Sequence, residues 1–161
     1  MTVLAVTGHI NLTEATVPLV CAALRELLTA RAAEGPLTGV SCIAAGADTL
    51  FAQLLVELGG ALVAVVPSRD YRQSQVRGEH AALFDTLVAA AAEVVVLPIE
   101  RADGQAYAAA NRLLLERADE LVAVWDGQPP AGLGGTADMV QRAREAGVTV
   151  VRVWPPGAAR A

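Results

Sequence analysis

The sequence predicts a doubly wound α/β fold with a mainly parallel, six-stranded sheet and helices on both faces. Six short apolar runs rich in β-branched residues recur along the chain without alternating polar positions, as strands covered on both sides require. Stretches with apolar residues at helical spacing separate them. The order strand, helix, strand then repeats five times and ends on a sixth strand.

The strands are expected at Val3 to Thr7, Val40 to Ala44, Ala61 to Val66, Glu93 to Leu97, Leu121 to Trp125 and Val148 to Val153. The first helical face reads Val17, Val20, Leu24, Leu27 and Leu28. Pro18 cannot lie deep in that helix, which places its start near Thr16 rather than Thr13. Leu50, Leu54 and Leu58 form the second face and Leu83, Phe84, Leu87 and Val88 the third, while another helix is read over Gln105 to Ala118. Gly59 and Gly147 stand where a left-handed helix end is expected. Strand one is expected in the middle of the sheet, with strands two and five beside it. No repeat or linker divides the 161 residues, so one domain is expected, with residues 155–161, which include Pro155-Pro156-Gly157, as a frayed tail.

Composition narrows the chemistry. The chain carries 12 basic and 17 acidic side chains, a net charge of -5, and 54% hydrophobic residues. That apolar content excludes a disordered chain. All the basic residues are Arg, so Schiff-base chemistry, pyridoxal phosphate attachment and a Walker A lysine are excluded. The acidic balance argues against a duplex DNA partner. Cys21 and Cys42 lie in apolar stretches without a CxxC, and with only His9 and His80 to join them no metal site is expected. They read as core residues of a reducing cytosol. The first residues lack the basic region of a signal peptide, and Glu93 interrupts the longest apolar stretch, so neither export nor membrane insertion is expected.

In such a fold, ligands bind beyond the carboxyl ends of the strands. The turns expected there are Thr7-Gly8-His9, Ala45-Gly46-Ala47-Asp48, Pro67-Ser68-Arg69, and Asp126-Gly127 leading to Gly132-Leu133-Gly134-Gly135-Thr136. Glycines before a helix let amides approach an anion, and the helix dipole adds positive charge. A phosphate or carboxylate fits there, although Gly134-Gly135 also reads as a flexible turn. Thr136 reads equally as a helix cap, Asp48 and Asp138 as helix-start residues, and His9 as a hydrogen-bonded turn residue. Packing explains Tyr71 and His80 as well as function does. Arg112, about two turns into its helix and next to Asn111, reads either as a phosphate ligand reaching back to the edge or as a surface partner of Glu116.

Four segments in order resemble a known superfamily: Val6-Thr7-Gly8-His9; Ala45-Gly46-Ala47-Asp48-Thr49-Leu50-Phe51-Ala52; Ala110-Asn111-Arg112 with Ala118 to Gly127; and Gly134-Gly135-Thr136-Ala137-Asp138. The chain is similar to SLOG proteins, Rossmann-like domains that include the DNA-processing protein DprA, the Lonely Guy phosphoribohydrolases, often labelled lysine decarboxylases, and molybdenum cofactor carriers. The resemblance implies a nucleotide or nucleotide-derived phosphorylated ligand at the strand ends, a cytoplasmic location and a homodimer. It places ligand contacts at Thr7, Gly8, His9, Gly46, Ala47, Asp48, Asn111, Arg112, Asp126, Gly134, Gly135 and Thr136. The Lonely Guy signature Pro-Gly-Gly-x-Gly-Thr-x-x-Glu meets Met139 at its catalytic position, leaving Asp138, about 100° around the helix, as the candidate catalytic residue.

Three functions follow. The first is a sensor or carrier that binds a phosphorylated nucleotide derivative. The alternative is hydrolysis of the N-glycosidic bond of a nucleoside 5'-monophosphate, with Asp138 or Asp48 acting on water. The third is an interaction protein whose Ala-faced helices bury further surface in an oligomer. DprA-like binding of single-stranded DNA is less favoured, because a basic groove with stacking aromatics is needed and only two Trp, two Tyr and two Phe are present. Base selectivity is expected to depend on the loops Ser68 to Ser74 and Ile99 to Gln105.

Overall fold

A computed structural model describes residues 1–130, 132 and 135–161. The chain runs through β1 (Thr2–Gly8), α1 (Thr16–Ala33), β2 (Leu37–Ser41), α2 (Ala47–Glu57), β3 (Ala61–Val66) and α3 (Tyr71–Gln75). It continues through α4 (Glu79–Ala90), β4 (Glu93–Val96), α5 (Gly104–Arg117), β5 (Glu120–Val124), α6 (Thr136–Glu145) and β6 (Thr149–Arg152). The strands form one sheet in the order β4-β3-β2-β1-β5-β6, and every pair is parallel.

Alternation along β1 assigns the two helical layers. Leu4 and Val6 pack with Val20, Leu24 and Leu28 of α1 and with Phe51 and Leu55 of α2; Phe84 and Leu87 of α4 belong to the same core. Ala5, one residue out of phase, joins Val40, Val63 and Val65 against Ala110 and Leu114 of α5 and Met139 and Ala143 of α6. Each fully buried Leu or Phe side chain contributes about 1.5–3 kcal/mol relative to exposure, so both layers are stabilised by continuous apolar strands. Ala5 is in register with both Val40 of β2 and Leu121 of β5, which centres β1 as expected.

Local signals also agree. Helix α1 starts at Thr16, leaving Pro18 in its first turn, where a missing amide hydrogen costs little. Gly59 and Gly147 adopt φ of +83° and +76° after α2 and α6. Strand β2, however, lies earlier than the apolar run suggested, at Leu37–Ser41. Gly39 is admitted because a Cβ there would come within 2.4 Å of Leu55 Cδ2, so the helix crosses close over the strand. The strand stops where the Ser41 hydroxyl accepts the Ile43 amide hydrogen at 2.9 Å and Ile43 turns to φ +53°.

The C-terminal segment differs from the frayed tail expected. The buried Thr16 hydroxyl accepts from Ala159 N–H at 2.8 Å and donates to the Ala159 carbonyl at 3.1 Å. Ala161 N–H donates to the Asn11 carbonyl at 2.6 Å, and Leu12 and Arg160 form an antiparallel bridge. These contacts fold the tail back over the β1–α1 loop. No helix among the described residues is long and apolar enough to cross a membrane.

Candidate ligand cleft at the carboxyl edge

From β1 the chain winds one way to β4, then crosses back through α5 to β5 on the other side of β1. Neighbouring connections therefore diverge beyond the carboxyl ends of β1 and β5 and open a crevice. A cleft of about 450 Å³ occupies this region. Thr7, Gly8 and His9 reach it from β1, Ala45 and Asp48 from the β2–α2 turn, Tyr107 and Asn111 from α5, and Gly135 and Thr136 from the start of α6. The far wall is Tyr71, Val76 and His80.

The β2–α2 turn is rigid and strained. A β-branched residue in the left-handed region costs about 1–2 kcal/mol, and Ile43 is held there by Ser41 and by His80, whose Nε2 donates to the Ile43 carbonyl at 2.9 Å. Gly46 adopts φ +79°, and a Cβ there would lie 2.6 Å from the His9 carbonyl oxygen. A Cβ on Gly8 would meet the Ala47 Cβ at 2.3 Å. Gly46 and Ala47 therefore set the approach of α2 to β1 and do not line the cleft, unlike Gly8. Ala47 N–H is already donated to the His9 carbonyl at 3.2 Å.

Asp48 sits on the cleft wall, 8% exposed, and accepts the Ala44 amide hydrogen at 3.3 Å. One hydrogen bond does not offset loss of water, so burial raises its pKa to about 7. The same burial, with Asp48 nearby, pushes the Cys42 thiol up, and Cys42 is no thiolate nucleophile at neutral pH. Tyr71 is 4% exposed; its ring packs at 6.0 Å from Phe84 and edge-on at 6.3 Å from Tyr107.

His9 joins the two central strands. Asp126 N–H donates to His9 Nε2 at 3.1 Å, His9 N–H donates to the Val124 carbonyl, and the ring meets Trp154 edge-on at 5.5 Å. Accepting at Nε2 places the neutral ring's hydrogen on Nδ1. Burial and then the Arg160 charge lower the His9 pKa, outweighing the opposing pull of Asp126, whose Oδ1 is 3.3 Å from Nε2. Asp126 itself lines a smaller adjoining pocket of about 190 Å³, with Asp138.

Beyond Gly46, Ala47 and Asp126, two more expected residues lie outside the main cleft. Arg112 is exposed on the outer side of α5, beside Glu116, Arg142 and Glu145, in a depression separate from the cleft. The 100° step from Asn111, which faces the cleft, turns Arg112 toward α6. Asp138 is ion-paired with Arg142 at 3.0 Å and does not line the main cleft. Met139, at the position of the family glutamate, is 0% exposed in the core beneath α6. Gly134 lies outside the described residues. The cation that does line both pockets is Arg160, which no local sequence signal indicated.

No known family profile matches the chain, and no curated protein matches it. Solved structures do. DNA processing protein A from Streptococcus pneumoniae is 19% identical, with a TM-score of 0.72 over 98% of this chain and 52% of that one. The Helicobacter pylori DNA processing protein A, described for its single-stranded DNA binding mode, is 15% identical, with a TM-score of 0.66 over 99% and 68%. The Moco carrier protein of Chlamydomonas rheinhardtii is 18% identical, with a TM-score of 0.55 over 94% and 74%. The chain thus spans about half the length of the first of these. Likeness at these identities is one of fold, and that fold is a Rossmann-like α/β fold with a six-stranded, all-parallel sheet.

Proposed function

We propose that the cleft binds a nucleotide or nucleotide-derived phosphorylated ligand and that the protein acts as its sensor or carrier. The carrying observation is the cleft's polarity. The start of α6 and the Arg160 guanidinium line the cleft where it meets the adjoining pocket, and the buried Tyr71 ring and Val76 line it outside that junction. A ligand charged at one end and planar at the other matches that division. Among the described lining residues Arg160 is the one Arg, and the chain's net charge is -5, so a nucleic-acid backbone with a phosphate at every step is a poor fit. Calorimetry against nucleoside mono- and diphosphates is expected to show binding in the micromolar range. Folded protein with no binding tighter than millimolar overturns the reading.

A second reading rests on Asp48. A carboxyl group titrating near 7 inside a cleft suits general acid–base work, so N-glycosidic hydrolysis would use Asp48 rather than the paired Asp138. Incubation with adenosine monophosphate and N6-substituted analogues would then release free base, and Asp48→Asn would abolish the release. Equal rates in the two proteins remove this reading.

A further inference from the structure

We infer that Arg160, carried into the cleft by the folded-back C-terminal segment, is the residue that grips the ligand's phosphate. This rests on the cleft being the binding site. The segment is pinned at Ala159 by the buried Thr16 hydroxyl and at Ala161 by the Asn11 backbone. The Asn11 side chain completes the latch: its Nδ2 donates to the Ala161 carbonyl at 3.2 Å, and its Oδ1 accepts from Arg160 Nε at 3.2 Å.

That bond orients the guanidinium. Besides that bond to the neutral Asn11 amide, the guanidinium is ion-paired with the Asp126 carboxylate, with Arg160 Nη1 3.8 Å from Asp126 Oδ2, too long for a tight hydrogen bond. The fork therefore keeps N–H groups for an oxyanion, and its side chain is 46% exposed at the junction of the two pockets. Gly135 and Thr136, the start of the ten-residue helix α6, line the same two pockets. A phosphate seated there receives two parallel bonds from a preorganised arginine and the favourable end of a helix dipole. The same cleft is lined by the buried Asp48 carboxyl and the Tyr71 ring, so this mouth opens into the fold rather than onto bare surface.

The test compares wild type with Arg160→Ala, Arg160→Lys, Asn11→Ala and Arg112→Ala, measuring inorganic pyrophosphate, nucleoside monophosphates and the parent nucleosides by calorimetry. Arg160→Ala is expected to weaken pyrophosphate and monophosphate binding about ten- to hundredfold, as loss of charge-assisted hydrogen bonds does, and to leave nucleoside affinity unchanged. Arg160→Lys, which keeps charge without the fork, and Asn11→Ala, which frees it, should fall between; Arg112→Ala should match wild type. Arg160→Ala binding phosphate compounds like wild type overturns the inference while leaving nucleotide binding standing. Pyrophosphate binding that depends on Arg160, without any nucleotide binding, does the reverse. Wild-type protein that binds neither compound overturns both.

Discussion

Helices α2 and α6 both begin at the carboxyl edge of the sheet, yet their first turns are built for different ends. At α2 the first amide is already donated to the His9 carbonyl, Gly8 and Gly46 admit no Cβ, and a buried carboxyl takes the amide of the preceding turn. At α6 the N-cap is Gly135, which has no side chain to cap the helix, and a Cβ there would meet nothing within 4 Å. A glycine-rich helix start is therefore not one kind of feature. At α2 the glycines bring the chain close against its neighbours; at α6 Gly135 leaves space beside the first turn.

The contrast breaks most severely at Gly8. Its replacement by Ala forces apart β1 and α2, because the Ala47 and Val124 Cβ atoms stand 2.3 and 2.9 Å from the new methyl. A loss of about 3 kcal/mol, or about 6–12 °C in Tm, is expected in thermal denaturation. A second break uses pH. Asp48 holds its proton up to about pH 7 when folded but releases it near 4 when unfolded, so its contribution to stability is fully present below about pH 4 and falls as pH rises to about 7. Urea denaturation at pH 5 and pH 8 should show wild type losing on the order of 3 kcal/mol more than Asp48→Asn over that interval.

His9 acts in the opposite direction. With its pKa lowered by burial, the neutral ring contributes fully above about pH 6.5, and that contribution is lost as pH falls toward the depressed folded value. His9→Gln, which keeps an acceptor for the Asp126 amide, should flatten the acid side of the stability profile below pH 6.5. The smallest effect is expected at Gly135→Ala, where φ is -80° and space is open: a change within about 0.5 kcal/mol, read by the same denaturation. A large loss there would erase the distinction between the two helix starts.

The sheet was legible because burial on both faces leaves its mark in β1, β3 and β5 as nearly unbroken runs of Val, Leu and Ala, with helix ends marked by Gly59 and Gly147. The centre of the sheet, with β1 between β2 and β5, followed from chain winding. Finer placement depended on contacts between distant residues. Gly39 inside β2 reads as a strand breaker until Leu55 is seen above it, and the short α3 at Tyr71–Gln75 has too few residues to show a period. Asn111 and Arg112 illustrate the limit most clearly. Side chains 100° apart on a helix do not share a target, and the sequence alone does not say which of the two turns inward. The guanidinium at the cleft came instead from Arg160, in a segment of Pro, Gly and Ala without periodicity, brought there through Thr16 and Asn11 from the opposite end of the sequence.

That return of the last residues has a practical side. Because residues 159–161 are held by Thr16 and Asn11, a substitution in the β1–α1 loop reaches the cleft through Arg160 as well as through His9, and its effect has to be separated between the two.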